Sequence, residues 1–299
     1  MISEKILRDL ENNGISYKIN HSLKNASTFR IGGICSLAVF PKSEGELIKC
    51  ISLLDGENIP LHIVGKGSNT LFYDGRIESA IVFTAGIDSV TVNGTEICCG
   101  AGASLMPLAV LACKQGLTGL EFACGIPGSV GGAVFMNAGA HGGAMENIVE
   151  ESRAYDRKSG SVITVTDHKF GYRKSVYMSN IYFVCLGATL KLDVGNLEEV
   201  RERMRELLES RRQKQPLEYP SAGSYFKRPE GDFAGRLIEV CGLKGTRVGD
   251  AQISEKHAGF IINRGNASCD DVLRLEDKVR ETVLKKTGVE LKREVEFVR

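Results

Sequence analysis

The feature that most restricts the fold of this 299-residue chain is a run of small residues near its middle. The segment FACGIPGSVGGAVFMNAGAHGGAM, residues 122–145, contains no Asp, Glu, Lys or Arg, and eight of the 34 glycines of the chain lie between Gly119 and Gly143. Glycines let main-chain N–H groups approach a ligand closely, and glycine-rich turns form concavities that suit a pyrophosphate. The segment therefore predicts a ligand held by backbone atoms; the alternative is a tightly packed turn without a ligand.

A second loop of small residues, GKGSNT at 65–70, follows the apolar run LHIVG, which predicts a strand. Phosphate-binding loops often occupy this position. Neither loop fits a standard nucleotide motif, because residues 65–70 end in Thr70 where GxGxxG requires glycine, and GxxxxGK[ST] occurs nowhere. A P-loop NTPase and a simple Rossmann domain are both disfavoured.

Composition narrows the class of protein further. A formal net charge of +1 provides no overall field to hold a nucleic acid. The first residues, MISEKILRDLENNG, lack the apolar core of a signal peptide, and no stretch reaches the ~18 apolar residues of a membrane span, so we expect a cytoplasmic protein. Nine cysteines without CxxC spacing and five histidines without HxxxH spacing predict reduced, mostly buried thiols and no metal site.

Local signals predict three segments. A βαβ pattern, with a helix begun by the capping box Ser43/Glu46, indicates a lobe over residues 1–78. Short β-rich runs, a helix from Ser104 and a long helix capped by Asn196 indicate a second lobe over residues 79–213.

The third segment, 214–290, contains a helix near 233–241, a strand AGFIIN and a helix capped by Ser268 with Asp271 at its third position. The alternating tail, 291–299, predicts a last strand.

Six motifs then occur in a characteristic order: TFRIGG at 28–33, GKGSNTLF at 65–72, GIPGSVGGAVFMNAGAHG at 125–142, GYRKS at 171–175, SAGSYFKRP at 221–229 and EVEF at 294–297. Over nearly its whole length the chain resembles the UDP-N-acetylenolpyruvoylglucosamine reductase family of peptidoglycan synthesis. The resemblance implies an α+β fold with a two-lobed FAD-binding domain of the vanillyl-alcohol-oxidase type and a C-terminal α+β substrate-binding domain. It also implies that the tail, 291–299, completes the first lobe.

The resemblance implies noncovalently bound FAD, NADPH as the hydride donor and UDP-N-acetylglucosamine enolpyruvate as the substrate, with no nucleic acid partner and no membrane insertion. Thr28, Arg30 and Gly32 are placed near the cofactor. The implied FAD-binding residues are Arg30, Gly65, Lys66, Gly67, Ser68, Asn69, Gly125, Pro127, Gly128, Ser129, Gly132, Asn137 and Gly139.

Three residues carry the chemistry in this resemblance. Arg173 is expected to stabilise the negative charge that develops towards the substrate carboxylate, since a guanidinium offers a rigid fork of donors. Ser224 matches the proton donor to C2, and Glu294 matches a carboxylate that positions or polarises the intermediate. Taken alone, residues of these types are more often a solvated arginine, a turn serine and a solvent-facing glutamate.

The resemblance also places Tyr172, Lys214 and Arg228 at the substrate, the last two at its diphosphate. His257 is a weaker candidate for the sugar nucleotide, with packing as the alternative. Longer members of the family insert a tyrosine-bearing loop where only DVGN, residues 193–196, stands here, so the chain resembles the shorter subtype.

Two other functions remain open from sequence. Another flavoprotein of the same superfamily that oxidises a small alcohol would share the two glycine loops without needing Ser224 or Glu294 in their motifs. A nucleotide-binding scaffold would keep the loops and have no use for an aligned Arg, Ser and Glu.

Overall fold

The computed structural model describes residues 2–299, which divide into two compact units. The first unit comprises residues 2–19, 37–66 and 78–211, and the second comprises residues 20–36, 67–77 and 212–299. Each unit is thus assembled from separate stretches of chain. The finer division into lobes 1–78, 79–213 and 214–290 stays a prediction.

The described residues form eight α-helices and nineteen β-strands. The helices are α1 Glu4–Asn12, α2 Glu44–Gly56, α3 Leu105–Lys114, α4 Val130–Met136, α5 Val176–Ser179, α6 Leu197–Lys214, α7 Ala234–Val240 and α8 Cys269–Thr287. The strands of the first half are β1 Ser16–Ser22, β2 Ile34–Phe40, β3 Leu61–Val64, β4 Thr70–Phe72, β5 Arg76–Phe83, β6 Val90–Asn93, β7 Glu96–Gly100, β8 Leu117–Thr118, β9 Gly139–Ala140 and β10 Gly143–Ala144. The remaining strands are β11 Val149–Asp156, β12 Ser161–Val165, β13 Phe183–Lys191, β14 Asp193–Val194, β15 Ser221–Ser224, β16 Arg247–Val248, β17 Ala251–Ile253, β18 Phe260–Asn263 and β19 Glu296–Val298. This mixture confirms the predicted α+β class.

Side chains cap the helices where the sequence predicted. Ser43 Oγ accepts the Glu46 N–H at the start of α2, and Ser268 forms the reciprocal capping box with Asp271 at the start of α8. At α6 the Asn196 side chain accepts the N–H of the second helical residue at 2.9 Å. These caps are confirmed because each depends on residues within one turn of the helix end.

The first unit contains a five-stranded antiparallel sheet in the order β12-β11-β13-β7-β6. Its predicted hairpin, β6–β7, turns at Asn93-Gly94, where Gly94 has φ +61° as a tight hairpin requires. Helix α3 and the glycine-rich segment pack on this sheet around one core, which includes Leu105, Leu108 and Val134. In a separate four-stranded sheet of order β1-β2-β5-β3, β3 pairs with β5 in parallel from Leu61 to Val64.

The second unit contains a four-stranded sheet in the order β15-β18-β17-β16. Buried residues of helix α8 pack in the hydrophobic core of this unit, among them Val272, Val279 and Val283. The predicted last strand is present as the short β19, which pairs in parallel with β4 from Glu296 to Val298.

Helix α4 was not predicted, because glycine at two of its seven positions, Gly131 and Gly132, lowers helix propensity. Ser129 compensates at its start by accepting the Gly132 N–H, and Asn137 ends the helix in the left-handed region at φ +43°. In residues 2–299 no helix is both long enough and apolar enough to span a bilayer.

Candidate active site

The loop after β3 contacts the glycine-rich segment in the first unit. A Cβ atom built on Gly65 would lie 2.2 Å from Ser129 Oγ, so the two predicted cofactor motifs touch and a larger residue at position 65 would require Ser129 to shift. Ser129 itself is buried. The structure therefore brings these two predicted residues together.

Close packing accounts for several glycines of the segment. A Cβ on Gly131 would lie 2.8 Å from Ala101 Cβ, and one on Gly139 would lie 2.7 Å from the Gly143 carbonyl oxygen. Both neighbours belong to the protein, so part of the glycine pattern serves packing, the alternative that the sequence left open. Gly132 differs, since its nearest neighbour would be Ser129 Oγ at 3.5 Å.

Arg173 is held over the glycine-rich segment by main-chain oxygens. Its Nη1 donates to the Asn137 carbonyl at 3.3 Å and its Nη2 to the Gly139 carbonyl at 3.2 Å. The Asn137 side chain in turn donates to the Gly171 carbonyl at 3.0 Å, which ties the two motifs together. The guanidinium also lies 5.2 Å from the centre of the exposed Tyr172 ring.

The backbone at Arg173 is unusual. Its φ of +52° lies in the left-handed region, which residues other than glycine, Asn and Asp seldom adopt. Arg30 has φ +56° and Asn137 has φ +43°, so three predicted site residues share this conformation. At the two arginines this conformation is strained, and such strain is typical of functional positions, where the surrounding structure enforces it.

The second unit contains the other group of predicted residues. Gly67 adopts φ +62° and its carbonyl accepts the Thr28 N–H at 3.2 Å, joining the second loop to the TFRIGG motif. The Thr28 hydroxyl donates to the Ser221 carbonyl at 2.7 Å, at the start of the strand that ends in Ser224. Thr28, Gly67 and the Ser224 strand are therefore neighbours.

Ser224 and Glu294 lie on paired segments of this unit. The Glu294 N–H donates to the Tyr225 carbonyl at 2.8 Å, directly after Ser224. The Asn69 side chain donates to the Glu294 carbonyl at 3.1 Å, which ties the second loop to the tail as well. Ser224 is exposed and follows Gly223, whose φ is +78°, whereas Glu294 is only 8% exposed. A buried glutamate is not the solvent-facing strand residue that a lone charge would suggest.

The predicted substrate residues lie at the surface. Lys214 is the exposed last residue of α6, and the exposed Arg228 stacks 4.7 Å from the centre of the Phe233 ring. His257 is half-buried, with its ring 4.9 Å from that of Phe260, and burial lowers its pKa. At the place of the tyrosine loop, β14 pairs with β8, so the short connection is part of the first unit's structure.

Several features of the site were not anticipated. Arg211 covers Gly125, where a Cβ would lie 2.7 Å from Arg211 Cδ, and burial lowers the pKa of this guanidinium. The buried Tyr225 and Glu276 form a polar network with the partly exposed Arg293 beside Ser224 and Glu294. The acidic residue inside the apolar stripe of α8 was the available signal, but its partners come from distant segments.

Comparisons with known proteins decide the family. Residues 35–166 match a model described as an FAD binding domain, and residues 215–298 match the UDP-N-acetylenolpyruvoylglucosamine reductase C-terminal domain. UDP-N-acetylenolpyruvoylglucosamine reductase of Fervidobacterium nodosum is 45% identical over 99% of this chain and 96% of its own. That of Caldanaerobacter subterraneus is 44% identical over 98% and 96%.

This chain belongs to the UDP-N-acetylenolpyruvoylglucosamine reductase family. The crystal structure of the reductase from Thermus caldophilus superposes with a TM-score of 0.80 at 33% identity, covering 95% of this chain and 99% of that one. A variant of berberine bridge enzyme, 15% identical over 64% of this chain and 44% of its own, gives a TM-score of 0.51, which shows a shared fold alone.

The residues of this reductase fit a flavin dinucleotide. The two contacting loops carry small, mostly uncharged residues, and the Arg211 guanidinium lies against Gly125 as a partly desolvated cation. In the second unit, Ser27 Oγ is buried beside the Gly67 loop and has no hydrogen-bond partner among residues 2–299. Hydroxyl groups, a cation and mostly uncharged loops are chemically suited to the polar tail and diphosphate of such a cofactor. In residues 2–299 no group of three His, Cys, Asp or Glu side chains is arranged to hold a metal ion.

Proposed function

We propose that this protein reduces the enolpyruvyl group of UDP-N-acetylglucosamine enolpyruvate, with FAD and NADPH, to give UDP-N-acetylmuramate for peptidoglycan synthesis. The observation that carries the proposal is the match to reductases of this name over 98–99% of the chain. The FAD binding domain and the reductase C-terminal domain are both present, in that order.

The overall reaction adds a hydride and a proton across one carbon–carbon double bond. The loops at 65–69 and 125–139 would hold FAD, which would supply hydride transfer from NADPH to C3 of the enolpyruvyl group. The protein must then stabilise the charge left on the substrate and supply a proton to C2. NADPH is oxidised to NADP⁺, and the electrons and atoms balance.

Arg173 is suited to stabilise that charge. Its two terminal nitrogens already donate to two carbonyls, which fixes the plane of the guanidinium before substrate arrives. A fixed donor fork costs no reorganisation when charge develops on a planar carboxylate and its conjugated carbon. The strained backbone at φ +52° is consistent with a side chain held for this purpose.

Ser224 is proposed as the proton donor to C2. A serine hydroxyl is a weak acid, so its placement and hydrogen-bond network matter more than its acidity. The hydrogen bond between the Glu294 N–H and the Tyr225 carbonyl brings the tail alongside the Ser224 segment. Glu294, whose burial limits its contact with water, is proposed to polarise or position the substrate intermediate.

The remaining sequence-based assignments complete the proposal. The loops at 65–69 and 125–139, with Arg30, would hold FAD, and Tyr172, Lys214 and Arg228 would hold the UDP-sugar. The proposed location is the cytoplasm, where a UDP-sugar and NADPH are both available, and cell fractionation with a specific antibody tests it.

The test is to reduce the flavin with one equivalent of NADPH without oxygen and then add the enolpyruvyl UDP-sugar. We expect the flavin absorbance to return in the wild-type protein, with NADP⁺ and UDP-N-acetylmuramate as products. A Ser224→Ala variant should still be bleached by NADPH, while its reoxidation slows by about 10²–10⁴-fold, the usual contribution of a positioned general acid.

One outcome would contradict the proposed reductase function, and another would contradict only the role of Ser224. Wild-type flavin that stays reduced in the presence of the UDP-sugar, and reoxidises only with oxygen, would favour a flavoprotein oxidase of the same superfamily. Reoxidation of Ser224→Ala at the wild-type rate would leave the reductase function intact and place the proton donor elsewhere.

A further inference from the structure

A buried carboxylate lies beside the proposed Ser224 and Glu294 segments. Glu276 stands on the apolar face of α8, among Val272, Leu275 and Val279, and is 2% exposed. A charged group at such a position is costly unless it is paired. The partners of Glu276 therefore indicate the role of this buried carboxylate.

Both partners of Glu276 adjoin proposed catalytic residues along the chain. The Tyr225 hydroxyl, directly after Ser224, donates to Glu276 Oε2 at 2.9 Å. Arg293 Nε, directly before Glu294, lies 2.8 Å from the same oxygen, as an ion pair rather than an aligned hydrogen bond. One oxygen atom thus joins the two segments.

The main chain aligns the same segments. Phe226 and Arg293 form an antiparallel bridge, and the Lys227 N–H donates to the Lys292 carbonyl at 2.8 Å. These bonds fix the register along the segments. They leave the side-chain rotamers to be set by packing, and the side chains of Tyr225 and Arg293 both reach the shared oxygen.

We propose that the Tyr225–Glu276–Arg293 network is a positioning device that holds the Ser224 and Glu294 segments in the relative alignment needed for protonation of the substrate. This inference rests on the proposed reductase function. None of the three residues is assigned contact with substrate or cofactor; they act through the residues next to them in the chain.

The expected energy of the Glu276–Arg293 pair distinguishes a positioning role from a purely stabilising one. The Glu276 side chain is 3% exposed and that of Arg293 is 29% exposed, so the pair is largely withdrawn from water. An ion pair of this kind commonly contributes no more to folding than well-packed apolar residues of similar size, so stability alone does not explain why the pair is kept. A displacement of a catalytic group by about 1 Å can slow a reaction by about 10²-fold. The alignment of the two catalytic segments therefore does explain why the network is kept.

The experiment compares three variants with the wild-type holoenzyme in the two flavin half-reactions. Tyr225→Phe removes one hydrogen bond, Arg293→Lys keeps the charge without the planar fork, and the triple variant Tyr225→Phe/Glu276→Leu/Arg293→Met makes the network apolar. Thermal unfolding, NADPH bleaching, UDP-sugar binding by perturbation of flavin absorbance, and anaerobic reoxidation are measured for each.

We expect the triple variant to unfold no earlier than the wild type and to be bleached by NADPH at a rate within about twofold of it. Its reoxidation by UDP-sugar should slow by about 10- to 100-fold, while UDP-sugar affinity changes by less than about threefold. The reoxidation rates of Tyr225→Phe and Arg293→Lys should lie between those of the wild type and the triple variant.

The matched control is the partly buried pair of Arg157 with Asp55, whose Nε–Oδ2 distance is 3.0 Å and which lies in the first unit. An Asp55→Leu/Arg157→Met variant should keep the wild-type reoxidation rate. Wild-type reoxidation in the folded triple variant would overturn the proposal. If the triple variant does not fold, wild-type reoxidation in both Tyr225→Phe and Arg293→Lys overturns it. A wild-type enzyme that the UDP-sugar does not reoxidise refutes the proposed function instead.

Discussion

Ser129 Oγ occupies the space in which Gly65 would carry a side chain, with 2.2 Å between that oxygen and a Cβ built on the glycine. The same hydroxyl accepts the Gly132 N–H at the start of α4 at 3.4 Å. One contact therefore links the loop after β3 to the cap of the helix inside the glycine-rich segment. We therefore expect a substitution at Gly65 to disturb both predicted FAD loops.

We predict that Gly65→Ala lowers both stability and FAD retention. The new methyl group must displace Ser129, and overpacking of this kind costs about 1–3 kcal/mol. Thermal unfolding and the flavin-to-protein absorbance ratio after gel filtration measure the two effects. Gly56→Ala is the matched control, because no heavy atom of the described part of the chain, residues 2–299, lies within 4 Å of a Cβ at that helix end.

The same contact predicts coupling between positions 65 and 129. Ser129→Ala alone should cost about 1 kcal/mol through loss of the helix cap. In the Gly65→Ala/Ser129→Ala double variant the clash with the hydroxyl is gone, so the combined loss should be smaller than the sum of the two single losses. Additive losses would show that the clash is not the cause.

A second prediction concerns thiol reactivity. All nine cysteines are free, and Cys98 alone among them is exposed. Burial raises the pKa of Cys50, Cys99 and Cys269 to about 12, which suppresses their thiolate forms. A thiol reagent such as dithionitrobenzoate should therefore modify one residue quickly in the native protein and none in Cys98→Ser. Rapid release of two or more equivalents would contradict the burial of the others.

The sequence was informative wherever a structural signal is local. The capping pairs at Ser43, Asn196 and Ser268, and the Asn93-Gly94 hairpin, are formed by residues within a few positions of one another. Strand β1 was missed because most of its side chains are exposed, so it lacks the apolar alternation that reveals a half-buried strand.

Tertiary relationships set the limit on what the sequence could predict for the site. The glycine motif is visible in the sequence, but the contact of Gly131 with Ala101 is made across the fold. Glu276 is visible as an acid in an apolar stripe, yet its partners Tyr225 and Arg293 lie 51 and 17 positions away. A buried acid can be expected to have a partner because an unpaired buried charge is costly, but the identity of the partner depends on the fold.

Acid should destabilise the protein through the buried His168 and the half-buried His257. His168 is 4% exposed, its Nε2 lies 2.8 Å from Ser152 Oγ, and burial lowers its pKa below the ordinary 6.5. The unfolded chain therefore binds a proton near pH 6.5 that the folded protein binds only at lower pH. The stability from this group is complete above pH 6.5 and decreases as the pH falls below it.

We predict that His168→Gln flattens the dependence of the unfolding free energy on pH between about pH 5.5 and 6.5, where one such proton contributes at most about 1.4 kcal/mol per pH unit. His257 should contribute in the same direction, because burial lowers its pKa also. Urea unfolding at saturating FAD, compared at each pH for the wild type and the two single variants, provides the measurement. Parallel curves for wild type and His168→Gln would refute the assignment.

The surface cations should act on the substrate and not on the flavin. Lys214 and Arg228 are both exposed, so neither supports a core. Replacing either by Ala should weaken UDP-sugar binding by about 1–3 kcal/mol if it contacts the diphosphate, and leave FAD retention unchanged. Arg205→Ala, at another exposed position of α6, is the control. An unchanged KM for the UDP-sugar in both variants would count against this part of the site.

At Arg173 the effect of losing the charge can be separated from the effect of straining the backbone, because the left-handed backbone limits which substitutions are informative. At φ +52° an alanine adds conformational strain to the loss of charge, whereas asparagine tolerates the left-handed region. Arg173→Asn therefore removes the guanidinium while keeping the turn, and Arg173→Lys keeps a positive charge without the fork that donates to the carbonyls of Asn137 and Gly139.

We expect Arg173→Asn to keep FAD, to unfold near the wild-type temperature and to be bleached normally by NADPH. Its reoxidation by the UDP-sugar should slow by about 10²–10³-fold, the usual cost of removing one preorganised donor to developing charge. Arg173→Lys should recover part of that loss, since a point charge still attracts the carboxylate but lacks bidentate geometry. Stopped-flow traces at the flavin absorbance separate the two halves of the reaction. If Arg173→Asn is slow in the NADPH half-reaction to the same extent, the arginine supports the flavin site as a whole and its proposed action on the substrate is wrong.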